Sequence, residues 1–358
     1  MRSTFAVKMS CALLFLFAAL YSIEGSTLLT SEEIRSRMVL EAFRRAYPDK
    51  IEAVEWREGD WTATVDGKVF FWARGRLLPA VEREKWADYL PYVFYSYPDE
   101  PRDPRKYSPE RIEELRRNGE KAARKNGEDH HIAFHAALYG GRSRAAIEGR
   151  LAKVPLFGRT VSVHEDIADA VTRVNDEVAA IAGRDPAVKA FLAGIGSLGG
   201  YNWREIRGTA RRSYHSWGLA IDVQPRRLGK SVMYWEWERA RNEDWMLVPM
   251  EKRWSPPAAV IRAFERQGFV WGGKWDLYDN MHFEYRPELH ELAKVFSAGG
   301  GTEALIASLN RERKAAAPLG ATAPLGAAVP PGAAGERGSA TGVGAPTGVG
   351  GGELERKP

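Results

Sequence analysis

The sequence of 358 residues has a single cysteine, Cys11. Disulfide frameworks, thiolate nucleophiles and cysteine-based zinc sites are therefore excluded, the more so because Cys11 opens a short apolar run, 11–23, that the mature chain is expected to lose. That run falls short of the roughly 20 apolar residues a membrane span needs. An excess of one charge is also missing: 52 Lys and Arg stand against 47 Asp and Glu, spread without polybasic blocks, so no nucleic-acid partner is expected. What is present in quantity is apolar residues, at 44%, enough for real cores and for two ordinary domains at this length.

Arg2 and Lys8 precede the apolar run, and the small residues Ser22, Gly25 and Ser26 follow it, the layout of a secretory signal over 1–25. The chain is expected to be exported, periplasmic or otherwise in the cell envelope or extracellular, with no membrane span after cleavage. A lipid-carrying cysteine would follow the run, whereas Cys11 does not, so a lipoprotein is not expected.

Residues 26–126 read as a small α+β region of unknown role. Thr30 with Glu33 forms a capping box, and Ile34, Met38, Phe43 and Tyr47 give one helical face that ends at Pro48. Alternation over 61–65, a turn at Asp66-Gly67 and a second run over 69–72 predict a hairpin. Four prolines among charges in 97–109 read as a linker, followed by a charged helix from Pro109 to Asn126.

Residues 127–300 form the second domain. Ser162 and Glu165 are expected to cap a helix with a stripe of Ile167, Val171, Val174, Val178 and Ile181, and Asp185-Pro186 to open another. Strands are expected near 218–224 and 281–285, a helix start at Pro256-Pro257 and a turn at Gly272-Gly273. A short C-terminal helix over 301–314 precedes a low-complexity tail, 315–358, whose repeats of Ala-Pro-Leu-Gly-Ala and Thr-Gly-Val-Gly have no core to bury and are expected to be disordered.

With only seven histidines, each can be weighed. His131 and His135 have the i, i+4 spacing of a zinc helix, but Ile132 replaces the glutamate of His-Glu-x-x-His, and a structural role is expected. His130, His164 and His290 have surface-like neighbours. His215 and His282 differ. In Ser213-Tyr214-His215-Ser216-Trp217-Gly218-Leu219-Ala220-Ile221-Asp222 a carboxylate sits inside an apolar strand, which is costly unless a partner compensates it, and a divalent metal shared with an imidazole is a sufficient partner. His282, in Asp279-Asn280-Met281-His282-Phe283-Glu284, offers a second imidazole. Two imidazoles and one carboxylate leave a position open on a tetrahedral zinc; buried His–Asp hydrogen bonds are the alternative.

Residues 213–222 match Ser-x-His-x-x-Gly-x-Ala-x-Asp, and 279–282 match an acid-x-x-His motif. Together they resemble the zinc peptidases that comprise D-alanyl-D-alanine carboxypeptidases, D-Ala-D-Ala dipeptidases and phage L-alanyl-D-glutamate endolysins. The resemblance covers about 130–297. It implies one zinc ion held by His215, Asp222 and His282, Asp279 as catalytic base, and an α+β fold in which helices flank a small antiparallel sheet. Many relatives carry Glu at the position of Asp279, while endolysin-like members resemble this chain in using Asp. Arg204 falls where similar enzymes have an arginine, suited to a substrate carboxylate or an oxyanion. Ser213 is expected to orient His215 or substrate, and Glu284, on the same strand face as His282, to support that ligand rather than act as the base. Eight of the twelve tryptophans fall between 203 and 275; most are expected to pack around the sheet, with Trp217 and Trp275 as candidate cleft walls.

The resulting expectation is an exported zinc metallopeptidase that hydrolyses peptidoglycan stem peptides, a D,D-carboxypeptidase or related endopeptidase with peptidoglycan peptides as partners. The rival is a cell-wall binding or scaffolding protein that keeps the fold without turnover.

Overall fold

The computed structural model describes residues 31–123, 130–204 and 212–297. The expected signal, the C-terminal helix and the tail lie outside these residues, as does Thr30 of the capping box.

Helix α1, Ser31–Ala46, carries acidic residues in its first turn and arginines in its last, as the helix dipole favours, and buries Met38, Val39, Leu40 and Phe43. It packs on an antiparallel sheet of β1 (Ile51–Arg57), β2 (Asp60–Val65), β3 (Lys68–Phe71) and the short β4 (Leu78–Pro79), in that order. The hairpin turns Glu58-Gly59 and Asp66-Gly67 place both central residues at positive φ (50°, 82° and 52°, 66°), the twist that suits two-residue connections between antiparallel strands. Trp61, Ala63 and Val65 face inward and are almost wholly buried.

Segment 97–109 is not a free linker. Tyr97 is buried, its hydroxyl accepting from the Trp271 backbone N–H at 2.9 Å and donating to Glu265 at 2.6 Å, so the proline-rich stretch is laid down on the second sheet. Helix α2, Pro109–Ala123, follows. The apolar core runs continuously from Met38 to Leu292, so the region before residue 126 and the region after it share one interior.

Helices α3 (Ala133–Tyr139) and α4 (Arg144–Glu148) lead into a hairpin that the sequence reading missed, β5 (Leu151–Leu156) with β6 (Arg159–His164). Ser162 lies in this hairpin, not at a helix start. The cap is His164, whose Nδ1 accepts from Asp166 N–H at 3.2 Å ahead of a short 3-10 turn and helix α5, Ala168–Ala182. Asp185 caps α6, Pro186–Gly194, as expected.

The second sheet is antiparallel, in the order β7 (Ile195–Gly199), β8 (Ala220–Pro225), β10 (His282–Tyr285), β9 (Phe269–Trp271). Helices α7 (Trp235–Arg239), α8 (Ala258–Arg266) and α9 (Pro287–Ser297) complete the described chain, and α9 packs against α1. One face of this sheet is core: Ile221, Val223 and Phe283 are fully buried, with Phe283 stacked on Phe264 of α8 at 4.0 Å between ring centroids. Each such large side chain contributes about 1.5–3 kcal/mol by leaving water. Period-2 alternation sends their neighbours to the other face.

Candidate active site

The neighbours on that other face are Asp222, His282 and Glu284. The β8–β10 register sets His282 directly opposite Asp222, so two side chains 60 residues apart become a cross-strand pair, with Nδ1 of His282 2.9 Å from Asp222 Oδ1. His215 reaches the same oxygen from a loop, with its Nε2 3.2 Å away. One ligand-type atom from each of the three lies within 4.8 Å of the others, the sole such group among the described residues.

The motif around His215 has a physical reason at almost every fixed position. Residues Tyr214–Trp217 form a 3-10 turn, and Ser213 caps it by accepting from His215 N–H. Gly218 ends the turn at φ +69°, and a Cβ there would come within 2.6 Å of the His164 backbone nitrogen. The chain then enters β8 through Ala220, fully buried opposite Glu284. His215 Nδ1–H donates to Gly200 O at 2.6 Å, which fixes the tautomer and turns Nε2 toward Asp222. Gly200 is pressed against β6, where a Cβ would meet Ser162 O at 2.3 Å.

His215 Nε2 is sealed from solvent and has no hydrogen-bond partner, a costly arrangement for a free imidazole and the expected one for a ligand nitrogen aimed at a cation. The donor set of two imidazoles and a carboxylate fits zinc with one position left open. Burial by itself would raise the Asp222 carboxyl, but the imidazoles of His215 and His282 set against it hold it far below the usual carboxylate range. His282 is held well above the ordinary imidazole value: burial opposes its charge, and Asp222 and Glu284 outweigh burial.

Glu284 Oε2 lies 3.2 Å from His282 Nε2, so the imidazole is gripped at both nitrogens by carboxylates. Glu284 is itself fastened to buried Arg286 (3.3 Å), which also pairs with Glu288 and donates to Val93 O at 3.3 Å. Glu288 accepts from Tyr47 at 3.1 Å, and Tyr47 meets Tyr139 at 2.8 Å, so the support of the site runs back to the residue that follows α1 and to the end of α3.

Asp279 stands just before β10 and is tied at its backbone, with N–H donated to Gly272 O at 3.0 Å. Its Oδ1 is buried without a hydrogen-bond partner. Burial pushes its carboxyl up to about 7, with the Asp222 charge adding to the rise and His282 and Arg204 opposing it. Arg204 has a half-exposed side chain with Nη2 3.9 Å from Asp222 Oδ2. Its backbone is pinned by Ser216, which accepts from Arg204 N–H at 2.8 Å and donates to Arg204 O at 2.5 Å. Ser216 occupies an x position of the motif and gave no signal of this in the sequence.

A cavity of about 510 Å³ brings together the three triad residues, Asp279, Glu284, Arg204 and Ser213. Its aromatic walls are Tyr234, Trp235, Trp237 and Trp275. Trp217, expected beside them, instead lies buried behind the site in the wall of a second cavity. His135, also in that wall, meets Tyr92 Oη at 2.9 Å and joins no metal group.

Residues 207–285 match the family model described as D-alanyl-D-alanine carboxypeptidase. The resemblance read from the two motifs is thereby met over this segment, which includes His215, Asp222 and His282. A second family model, for a domain of unknown function, matches residues 39–94, spanning the second half of α1 and the whole first sheet. No curated protein and no solved structure matches the chain. Arg204 lies just outside the carboxypeptidase match.

Proposed function

We propose that this chain is an exported zinc metallopeptidase that hydrolyses peptide bonds in peptidoglycan stem peptides, as a D,D-carboxypeptidase or related endopeptidase. The reading rests above all on the register that sets Asp222 opposite His282 while His215 points an unpartnered Nε2 at the same carboxylate. The apolar run over 11–23 supports export, where that substrate is found.

His215, Asp222 and His282 would hold the ion, which supplies Lewis acidity at a scissile carbonyl and lowers the pKa of water. Asp279 is the general base: its carboxylate, which lines the triad cavity, accepts the proton of the attacking water and passes it to the leaving amine. A carboxyl raised toward neutrality takes and returns a proton with little penalty in either direction. Arg204 faces the cavity with enough exposure to meet a substrate carboxylate or the developing oxyanion with its planar fork. Ser213 orients His215 through its cap, and Glu284 fixes the His282 ring and raises its basicity.

Purified muropeptides incubated with the zinc-loaded chain and read by mass spectrometry test this. Loss of a terminal alanine identifies a carboxypeptidase, and an internal cut identifies an endopeptidase. Stoichiometric zinc with no cleavage would favour a cell-wall binding protein instead.

A further inference from the structure

The two family matches, 39–94 and 207–285, leave residues 95–111 outside both, yet this stretch holds part of the wall of the triad cavity. The side chain of Trp275 belongs to that wall and lies tilted against the His282 ring, 5.6 Å between centroids. Its Nε1–H donates to Tyr95 Oη at 2.6 Å. On one side of it, Lys274 Nζ donates to Pro98 O at 3.1 Å besides pairing with Glu265 at 2.7 Å. On the other side, the Asp276 carboxylate accepts from Arg102 (3.0 Å), from Tyr107 Oη (2.9 Å) and from Arg111 at the start of α2. Three consecutive residues, 274–276, are thus fastened to a segment 165 or more residues earlier in the chain.

The half of the loop that carries Asp279 is held differently. Asp279 N–H donates to Gly272 O at 3.0 Å, Asn280 N–H to Met233 O at 2.9 Å and Trp235 N–H to Tyr278 O at 2.9 Å, all within the carboxypeptidase match. Asp279 therefore keeps its place through bonds in which residues 95–111 take no part. Trp275 has a backbone bond of that kind, N–H to Gly272 O at 3.1 Å, and its ring packs over Gly272, where a Cβ would stand 3.0 Å from it. Among the described residues, however, the one hydrogen bond of the indole goes to Tyr95. The charge-assisted bonds on Asp276 hold the adjoining backbone, and such bonds are stronger than neutral ones. The wall is thus held from outside the match and the base from within it.

We propose that residues 95–111 are a strap that aims Trp275 at the substrate, with Tyr95 and Asp276 as positioning residues that act through that ring. The proposal rests on the peptidase reading above. It gives the stretch between the two matches a part in substrate binding, separate from the chemical step at Asp279.

Tyr95→Phe removes the hydroxyl that holds the indole and keeps the ring, and Asp276→Asn weakens the hold of both arginines at constant size. The measurement is KM and kcat on one stem peptide, for each variant alone and combined with Trp275→Ala, with zinc content and melting temperature alongside. Trp275→Ala should raise KM about tenfold, the upper end for one aromatic contact, and each strap variant about threefold. Zinc content should not change, and kcat should stay within about twofold of wild type, the pattern of lost binding without lost chemistry. In the Trp275→Ala chain neither strap substitution should raise KM further, because the ring through which they act is gone. A KM equal to that of wild type, whatever the melting temperature, overturns the proposal. So does a rise in KM that persists undiminished in the Trp275→Ala chain, or a fall in kcat as large as any rise in KM. Should Asp276→Asn not fold, Tyr95→Phe decides alone by the same criteria. If no stem peptide is cleaved, the peptidase reading fails, and titration of the same peptide onto the zinc-loaded chain decides in place of KM: weaker binding in the strap variants keeps the strap, and equal or absent binding removes it.

Discussion

The molecule contains two antiparallel sheets of four strands that use the same alternation for different ends. In the first, Trp61, Ala63 and Val65 of β2 fill the inward face, and Thr62, the buried polar residue of that strand, is uncharged and donates its hydroxyl to Glu55 O at 2.9 Å. In the second, Ile221, Val223 and Phe283 fill the core face, while Asp222, His282 and Glu284 share the opposite face with little solvent to stabilise them. Burying three ionisable groups side by side is a poor way to build a fold. Their presence on one sheet and absence from the other separates a scaffold from a chemical site before any homologue is consulted.

The sharpest way to break this comparison is to remove a ligand. His215→Ala, Asp222→Ala and His282→Ala should each leave the chain with almost no zinc and no hydrolysis, since two donors hold the ion poorly. His135→Ala should keep its zinc. Metal analysis after dialysis checks both, and stoichiometric zinc in the His282 variant would overturn the ligand assignment.

The converse test strikes the scaffold. Trp61 is fully buried, with Arg37 over its ring at 5.0 Å. Trp61→Ala should cost about 3–5 kcal/mol of stability by denaturant unfolding and leave zinc stoichiometry in the folded fraction unchanged. Loss of zinc at unchanged stability would show that the two sheets are not divided in this way.

A smaller effect is expected at Glu284. Glu284→Gln keeps the size but weakens the partner of His282 Nε2, so zinc affinity should fall by about 10- to 100-fold, with less change in the rate of the zinc-loaded form. Competition with a chelator of known affinity measures it.

A further effect lies in pH dependence. Burial, reinforced by the charge of Arg286, lowers His135 from 6.5 to about 3, so the folded chain keeps it neutral. The sign follows from linkage: the unfolded chain takes up this proton first, so the stability contribution is present above about 6.5 and is lost as pH falls toward 3. Thermal unfolding of wild type and His135→Gln between pH 7 and pH 4 should show a shallower decline in the variant.

Much of this was legible in the sequence because local rules and the fold agree. The Asp66-Gly67 hairpin, the Asp185-Pro186 cap and the strands carrying Asp222 and His282 follow from turn chemistry and alternation. The failures have physical causes. Ser162 with Glu165 imitates a capping box, but residues 151–164 gain more by pairing as a hairpin, and His164 provides the cap. The prolines of 97–109 suggested a linker because local composition cannot reveal that Tyr97 is bound by Trp271 and Glu265, more than 160 residues away. Trp217 sits beside a ligand in sequence yet points into the core, since the 3-10 turn that directs His215 toward Asp222 carries its neighbour two positions on to the opposite side. The hold of Ser216 on Arg204 depends on a backbone approach that no spacing encodes.

The central claim is that three residues hold zinc while a fourth, which holds none, moves the proton. Zinc content and kcat of Asp279→Asn on one stem peptide, measured side by side with wild type, test it most directly. The account predicts one zinc per chain in both and a fall in turnover of about 100- to 10,000-fold in the variant. Turnover near that of wild type, or loss of the zinc with the substitution, would contradict it.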